Sequence, residues 1–502
     1  MNTAVQRVVV AGGGAPGWIA AMGLQRAFRH RQIEVTLVDT GTGDAPVGRW
    51  TLPSQRGFHT LLGIREPDLV QRTGASYKLA SEHLDWQGEG SRFLHAHGDI
   101  GTDLGGIPFY KFLLLEVLCG RSANPEGYSV AALAARRGRF ARPTGEQASL
   151  TASFTYGFHL QETAYLAYLR EHALRLGVRA VKGAIADVRL SDSGSIAALR
   201  LAGGEEIAGD LFVDCAGAQA PLLSAVSAAR RVDWSQWLPC DRMLSALAPP
   251  ATEPAPVMQT KASDAGWLWS APLARHSMAG YVYASAFTSD DAALARFRQH
   301  APRLQGEPQL THFSAGRREK FWQRNCVALG AAAVELEPLA GADLHLTLLG
   351  LATLIELFPL DTVSAVESIE YSRVMVEYAD ALRDFTLAHY RAGPARTGEF
   401  WAAARARPAP GRLAEKLELY CASGRINLLD HESFEETDWA WLLLGSGCVP
   451  DAIELQIRTR LEKLTAQEVA PLRAHIDQLA ASMPRLADYL QRQAAHANRA
   501  VS

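Results

Sequence analysis

The chain has 502 residues, 48% of them hydrophobic, and a net charge of −3. It is long enough for about three average domains and too apolar to be disordered. Acidic and basic residues are interspersed, which excludes a nucleic-acid face and a polybasic membrane patch. Six cysteines (Cys119, Cys215, Cys240, Cys326, Cys421, Cys448) are scattered without C-x-x-C spacing. No metal or dithiol site is expected, and the thiols fit a reducing compartment. No apolar run approaches a membrane span, and a strand begins within the first ten residues. A soluble, cytoplasmic protein is expected.

The first element is Arg7-Val-Val-Val-Ala-Gly-Gly-Gly-Ala-Pro-Gly-Trp18. A β-branched run leads into Gly12, Gly14 and Gly17, and an apolar run follows. This order predicts a buried strand, a tight turn and a helix whose N-terminus faces a pyrophosphate. A second strand, Glu34 to Val38, ends in Asp39, about twenty residues past the glycines, where a carboxylate accepts from a ribose hydroxyl. The reading is a dinucleotide site.

A Gly/Thr/Asp/Pro-rich loop is expected over Thr40 to Pro53, and helix over 54–75. Residues 76–110 gather aromatic and histidine side chains: Tyr77, Trp86, Phe93, His95, His97, Phe109 and Tyr110. Arg136 to Gly145 reads as a surface loop, and 160–176 as an amphipathic helix. Strands follow at Val178 to Leu190 and Ser195 to Ala202. Asp210 to Gly217 reads as an apolar strand closing in a small-residue turn. Residues 240–290 alternate in β fashion. From about 344 the pattern is helical, with breaks near Arg407 to Gly411 and at Pro450. No second G-x-G-x-x-G occurs, so reducing equivalents are expected from outside.

The Gly-Gly-Gly-x-x-Gly-Trp turn ending in Trp18, together with the run Gly266-Trp267-Leu268-Trp269-Ser270-Ala271-Pro272, resembles the flavin-dependent tryptophan halogenase family. The likeness extends to Ser76-Tyr77-Lys78-Leu79, Phe93 to Gly98, Leu238 to Arg242, Gly316-Arg317-Arg318, Asn325-Cys326-Val327, Arg383 to Tyr390 and Trp439 to Gly447. It implies an α/β fold: an FAD-binding Rossmann-like domain of the GR2-type flavoprotein monooxygenases, with a β-rich substrate region and a helical C-terminal part. The expected division is 1–75, 151–235 and 310–360 for FAD, 76–150 and 236–309 for substrate, and 361–502 for the helices.

The implied reaction takes reduced FAD from a separate flavin reductase, with O2 and chloride or bromide, to hypohalous acid. A lysine then directs the halogen onto an electron-rich aromatic ring. Lys78 is the expected lysine; an exposed, snorkelling Lys78 is the alternative. Gly12, Gly14, Ala15, Pro16, Gly17, Trp18, Asp39, Arg49, Trp50, Asp214, Gly217 and Leu336 are the expected FAD contacts. His95, His97, Trp267 and Trp269 are the expected substrate pocket, although plain sheet packing also explains the tryptophan pair. The substrate is an indole or a phenol, small or carrier-borne, and a homodimer stays open.

Two stretches depart from the family. Its Pro-Leu-Glu-Ser-Thr-Gly/Ser-Ile turn is here Pro338-Leu339-Ala340-Gly341-Ala342-Asp343-Leu344, so Ala340 stands in place of the catalytic glutamate. Asp343 falls near the amides expected to hold halide. It takes over part of the acid's role, or closes the halide site, or merely caps a helix. The family's Gly-Glu-Ala-Thr-x-Pro loop is here Gly48-Arg49-Trp50-Thr51-Leu52-Pro53. Arg49 either pairs with Asp343, pairs with an FAD phosphate, or is exposed. If the halide site is closed, the protein is a halogenase-like monooxygenase or oxidase, or a flavin-binding protein without turnover.

Overall fold

The computed structural model describes residues 5–41, 47–121, 124–143, 150–227, 230–359, 365–462 and 466–499. The chain forms two compact units, each assembled from three segments.

The first unit comprises Met1–Thr73, Leu160–Met243 and Gln309–Ala381. Its centre is the strand Arg7–Ala11, parallel on one side to Glu34–Asp39 and on the other to Leu211–Asp214. Arg179–Lys182 and Cys326–Ala328 extend the sheet outward in parallel, and Trp322–Gln323 closes one edge. Val8, Val9, Val10, Leu37, Val38, Phe212 and Val213 are buried, as a sheet covered on both faces requires. The helix Ala15–Phe28 makes the first crossover. It lies so close to the helix Asp343–Glu356 that a Cβ on Gly23 would stand 2.4 Å from Leu351. Two small three-stranded sheets complete this unit.

The second unit comprises Gly74–His159, Leu244–Pro308 and Leu382–Ser502. Ser277–Tyr283, Gly266–Pro272 and Val257–Ser263 pair antiparallel in that order. Val257–Ser263 pairs in parallel with Ala80–Leu84, which pairs antiparallel with Arg92–Ala96. Beside this sheet, Ser76, Tyr77 and Lys78 pair with His159, Phe158 and Gly157.

The mixed α/β class and the long helical C-terminal part agree with expectation. Helices Glu399–Ala406 and Gly411–Ser423 flank the proline-rich break, and Pro450 lies between Glu436–Gly445 and Leu455–Leu461. Residues 361–381 group with the first unit and 382–502 with the second. The helix expected over 54–75 is two, Ser54–Leu61 and Glu66–Thr73, separated at Gly63 by its positive φ of 73°. The strand expected over 178–190 divides into Arg179–Lys182 and Ile185–Leu190, which join different sheets. Within the expected loop Thr40–Pro53, Gly48–Trp50 is a strand, and 42–46 lie outside the described residues. The surface loop expected over Arg136 to Gly145 is found over 137–143, except at its start and at Phe140. Arg136 ends the helix Val130–Arg136, and Phe140 is buried against Tyr77 at 4.0 Å between ring centroids. Residues 144 and 145 lie outside the described residues.

Candidate active site

The glycine turn is built by close approach. Gly12 has φ +129°, and a Cβ there would stand 2.3 Å from the Cys215 carbonyl oxygen. A Cβ on Gly17 would stand 2.0 Å from the Gly12 oxygen, so only glycine lets this helix dock on its strand. A Cβ on Gly13 would meet Asp39 Oδ1 at 1.9 Å, which brings the carboxylate against the turn. Gly14 differs: its nearest neighbour would be Pro16 at 3.7 Å, so its outer side faces space. Gly14 is also the N-cap of the helix, with no side-chain cap and no acid in the first turn, and Ala15 and Pro16 open that turn. Unsatisfied amides at an uncapped N-terminus form an anion-binding geometry.

Trp18 is buried, and its indole N–H donates to the Gly13 carbonyl at 3.0 Å. It locks the turn from within the protein rather than facing a ligand. Asp39 Oδ1 accepts from the Gly41 amide at 3.1 Å and Oδ2 from Arg170 at 2.6 Å. Asp214, expected to face FAD, is fully buried and accepts from the amides of Ala216, Leu222 and Leu223 at 2.9–3.1 Å. It anchors the start of the helix Pro221–Val226. Gly217, φ +96°, would point a Cβ into open space, and Leu336 is half-buried just past the strand Val334–Glu335.

The two departures from the family meet in space. Arg49 forms ion pairs with both Glu162 and Asp343. Its guanidinium is well buried, as is the Glu162 carboxylate, while the Asp343 side chain is 47% exposed. Burial opposes the charge on Arg49, but the carboxylates of Glu162 and Asp343 outweigh it and hold its pKa above the ordinary value. Asp343 does not cap its helix. Ala342 is the N-cap, and the carboxylate turns to Arg49 instead. Next to it, Gly341 takes φ +64°, and a Cβ there would stand 2.4 Å from the Trp50 ring. The buried Trp50 indole thus packs on the turn where the family carries its glutamate.

In the second unit Lys78 is buried at 1% exposure, so it does not snorkel. Its Nζ lies 2.9 Å from His97 Nε2. Burial pushes its pKa down to about 7, against a smaller opposing effect of the Asp438 charge. Burial, with Lys78, His95 and His159 nearby, holds His97 well below the ordinary imidazole value. His97 is therefore neutral, and with its proton on Nδ1 the Nε2 accepts from the lysine N–H. His95 Nε2 lies 2.9 Å from Asp438 Oδ1, and the two histidine rings meet edge to face at 6.2 Å.

Trp267 and Trp269 are buried within the sheet. Trp267 faces Trp86 at 6.4 Å between ring centroids, and Trp269 lies over Gly280, where a Cβ would stand 2.4 Å from its ring. Their contacts are those of sheet packing.

Sequence reasoning missed Glu162 and Asp438. Glu162 opens the helix Glu162–Arg175, 113 residues from Arg49, with no local signal. Asp438 had one: Glu435 and Asp438 have the spacing of a reciprocal helix cap, and the structure forms it.

The dinucleotide frame and the buried lysine define a flavoprotein oxidoreductase, and comparison with known proteins narrows the class. Residues 7–460 match the tryptophan halogenase family, to which the chain belongs. Tryptophan 6-halogenase SttH of Streptomyces toxytricini is 28% identical, over 89% of this chain and 91% of its own. BrvH, a flavin-dependent halogenase from Brevundimonas sp. BAL3, superposes with a TM-score of 0.92 at 32% identity, covering 97% of this chain and 99% of that one. Xcc4156, a flavin-dependent halogenase from Xanthomonas campestris, gives a TM-score of 0.92 at 32% identity, with 98% of each chain covered. The chain is thus an FAD-dependent, halogenase-type enzyme. No helix among the described residues is long and apolar enough to cross a membrane.

Proposed function

We propose that this enzyme uses reduced FAD, O2 and chloride or bromide to halogenate an indole or a phenol, with Lys78 delivering the halogen. The observation that carries this is the burial of the Lys78 amine, 1% exposed and 2.9 Å from His97 Nε2, which pushes its pKa down to about 7. A free amine at neutral pH is nucleophilic, and an exposed lysine is not free there. Gly12, Gly14 and Gly17 with the first turn at Ala15 and Pro16 would hold the FAD pyrophosphate, and Asp39 the ribose, sharing its Oδ2 with Arg170. Gly217 and Leu336 would border the cofactor. When bound and reduced, FAD supplies the activation of oxygen that oxidises halide. Reduced FAD comes from a separate reductase, in a transient complex or by diffusion. His95 and His97 line the substrate side, and the substrate is free or carrier-borne. Asp343 serves Arg49 and is not the replacement acid.

A second reading is a halogenase-like monooxygenase or oxidase that takes no halide. Arg49, Glu162 and Asp343 leave an excess negative charge at the N-terminus of Asp343–Glu356. A carboxylate at that place opposes an incoming anion.

The deciding experiment supplies protein, FAD, a flavin reductase, NADH and either salt, with indoles and phenols offered free and carrier-bound, and reads products by mass spectrometry. Halogenated product that disappears in Lys78→Ala, with FAD binding retained, is expected. Oxygenated product under both salts would establish the second reading. Halogenation by Lys78→Ala would remove the lysine from the mechanism.

A further inference from the structure

His97 Nε2 lies 2.9 Å from Lys78 Nζ with both residues buried. The imidazole is held at its root. The His97 amide donates to the Leu79 carbonyl at 2.8 Å, and the His97 carbonyl accepts from the Thr155 amide at 2.9 Å. Since Leu79 follows Lys78, the two side chains spring from a shared backbone clamp.

The titratable groups around the pair are His83, His95, His159 and Asp438. Burial holds His83 and His159 far below the ordinary value, so both stay neutral. His159 Nδ1 lies 3.1 Å from the Pro272 carbonyl. Asp438 carries the charge, but both its oxygens are engaged: Oδ1 with His95, and Oδ2 accepting from the Glu435 amide at 2.9 Å. The acceptor that Lys78 hydrogen-bonds is therefore His97.

We propose that His97 is a positioning residue for Lys78, holding the amine through its imidazole Nε2. This rests on Lys78 as the amine that carries the halogen. The bookkeeping is simple. The Lys78 ammonium first loses one proton to solvent. The amine lone pair then bonds the halogen of hypohalous acid as the O–halogen bond breaks. The departing hydroxide takes one amine proton and leaves as water. One N–H remains, and it is the one His97 accepts from. The nitrogen's free side thus points its halogen away from His97. The ring carbon takes the halogen, and the nitrogen recovers the ring proton as a plain amine. A carboxylate would hold the ammonium form, whereas a neutral imidazole leaves the amine free at neutral pH.

The test uses His97→Phe and His97→Gln with two readouts. The first is the pH titration of Lys78 in protein labelled with 13Cε-lysine, its signal identified by loss in Lys78→Arg. The second is steady-state halogenation with reductase, FAD and bromide. Without an acceptor the ammonium is stabilised less, so Phe should lower the Lys78 titration by about one pH unit or more. Misaiming the amine should reduce kcat about 100-fold. Gln restores an acceptor and should recover most of both. A Phe variant with wild-type titration and kcat would overturn the proposal, as would a Gln variant as impaired as Phe. Product formation by Lys78→Ala would sink the prior assignment of the lysine, an outcome distinct from either.

Discussion

Lys78 is a cation-forming group kept dry, and that has a consequence for stability. Its pKa is about 7 in the folded chain against 10.5 as the ordinary value. A depressed lysine destabilises the fold wherever the unfolded chain holds the extra proton. The penalty is full below about pH 7, falls as pH rises, and vanishes near the ordinary value. At 1.36 kcal/mol per unit it is on the order of 5 kcal/mol. Lys78→Met should therefore resist urea better than wild type at pH 6.5, with the difference shrinking by pH 9; a difference constant with pH would contradict the dry amine. Arg49 makes the opposite case, since its charge is answered on both sides. Removing it leaves the buried carboxylate of Glu162 uncompensated, so Arg49→Ala should cost about 3–5 kcal/mol in urea unfolding. Asp343 is half-exposed. Asp343→Asn should cost under about 1 kcal/mol. Equal losses in the two variants would mean that the triad is not organised by the buried pair.

At the scale of elements, the strand Gly48–Trp50 meets the turn that follows Pro338–Ala340. Arg49 answers Asp343, and Trp50 fills space that any side chain at position 341 would need. A double-mutant cycle measures this. Gly341→Ser should be costly beside Trp50 and less costly beside Trp50→Ala, with a coupling of about 1–2 kcal/mol. Additive effects would show that the indole does not press on the turn. The two departures were visible in the sequence as separate oddities, and their pairing was not, because nothing local joins residues 294 apart. The glycine turn was legible, since strand, turn and helix each carry their own pattern. Lys78 was legible as a candidate, but its partner was not: His97 sits one strand away, and only register brings it to the lysine. Asp214 was legible as an acid ending a buried strand, but its hold on the amides of Leu222 and Leu223, eight and nine residues on, was not. Phe140 misled because its flanking arginines and glycines mask a buried aromatic.

Over the whole molecule, the chemistry divides between the two units. Every residue of the uncapped glycine turn, with Asp39, Gly217 and Leu336, belongs to the first unit, and Lys78, His95, His97 and Asp438 belong to the second. A ligand stabilises the structure it binds by mass action, about 2.7 kcal/mol at a hundredfold excess over Kd. If FAD is held by the first unit's residues, oxidised FAD at that excess should slow amide exchange chiefly within Met1–Thr73, Leu160–Met243 and Gln309–Ala381. The strand Arg7–Ala11 and the start of Ala15–Phe28 should lead, because the turn between them presents its amides outward. The Lys78→Ala variant should show the same protection pattern, since its lesion lies outside that unit. Hydrogen exchange read by mass spectrometry distinguishes the outcomes. Protection centred instead on Ser76–Lys78 and Arg92–Ala96 would place the flavin's main hold on the lysine's side, and the assignment of Gly14 and Asp39 to the cofactor would fall with it.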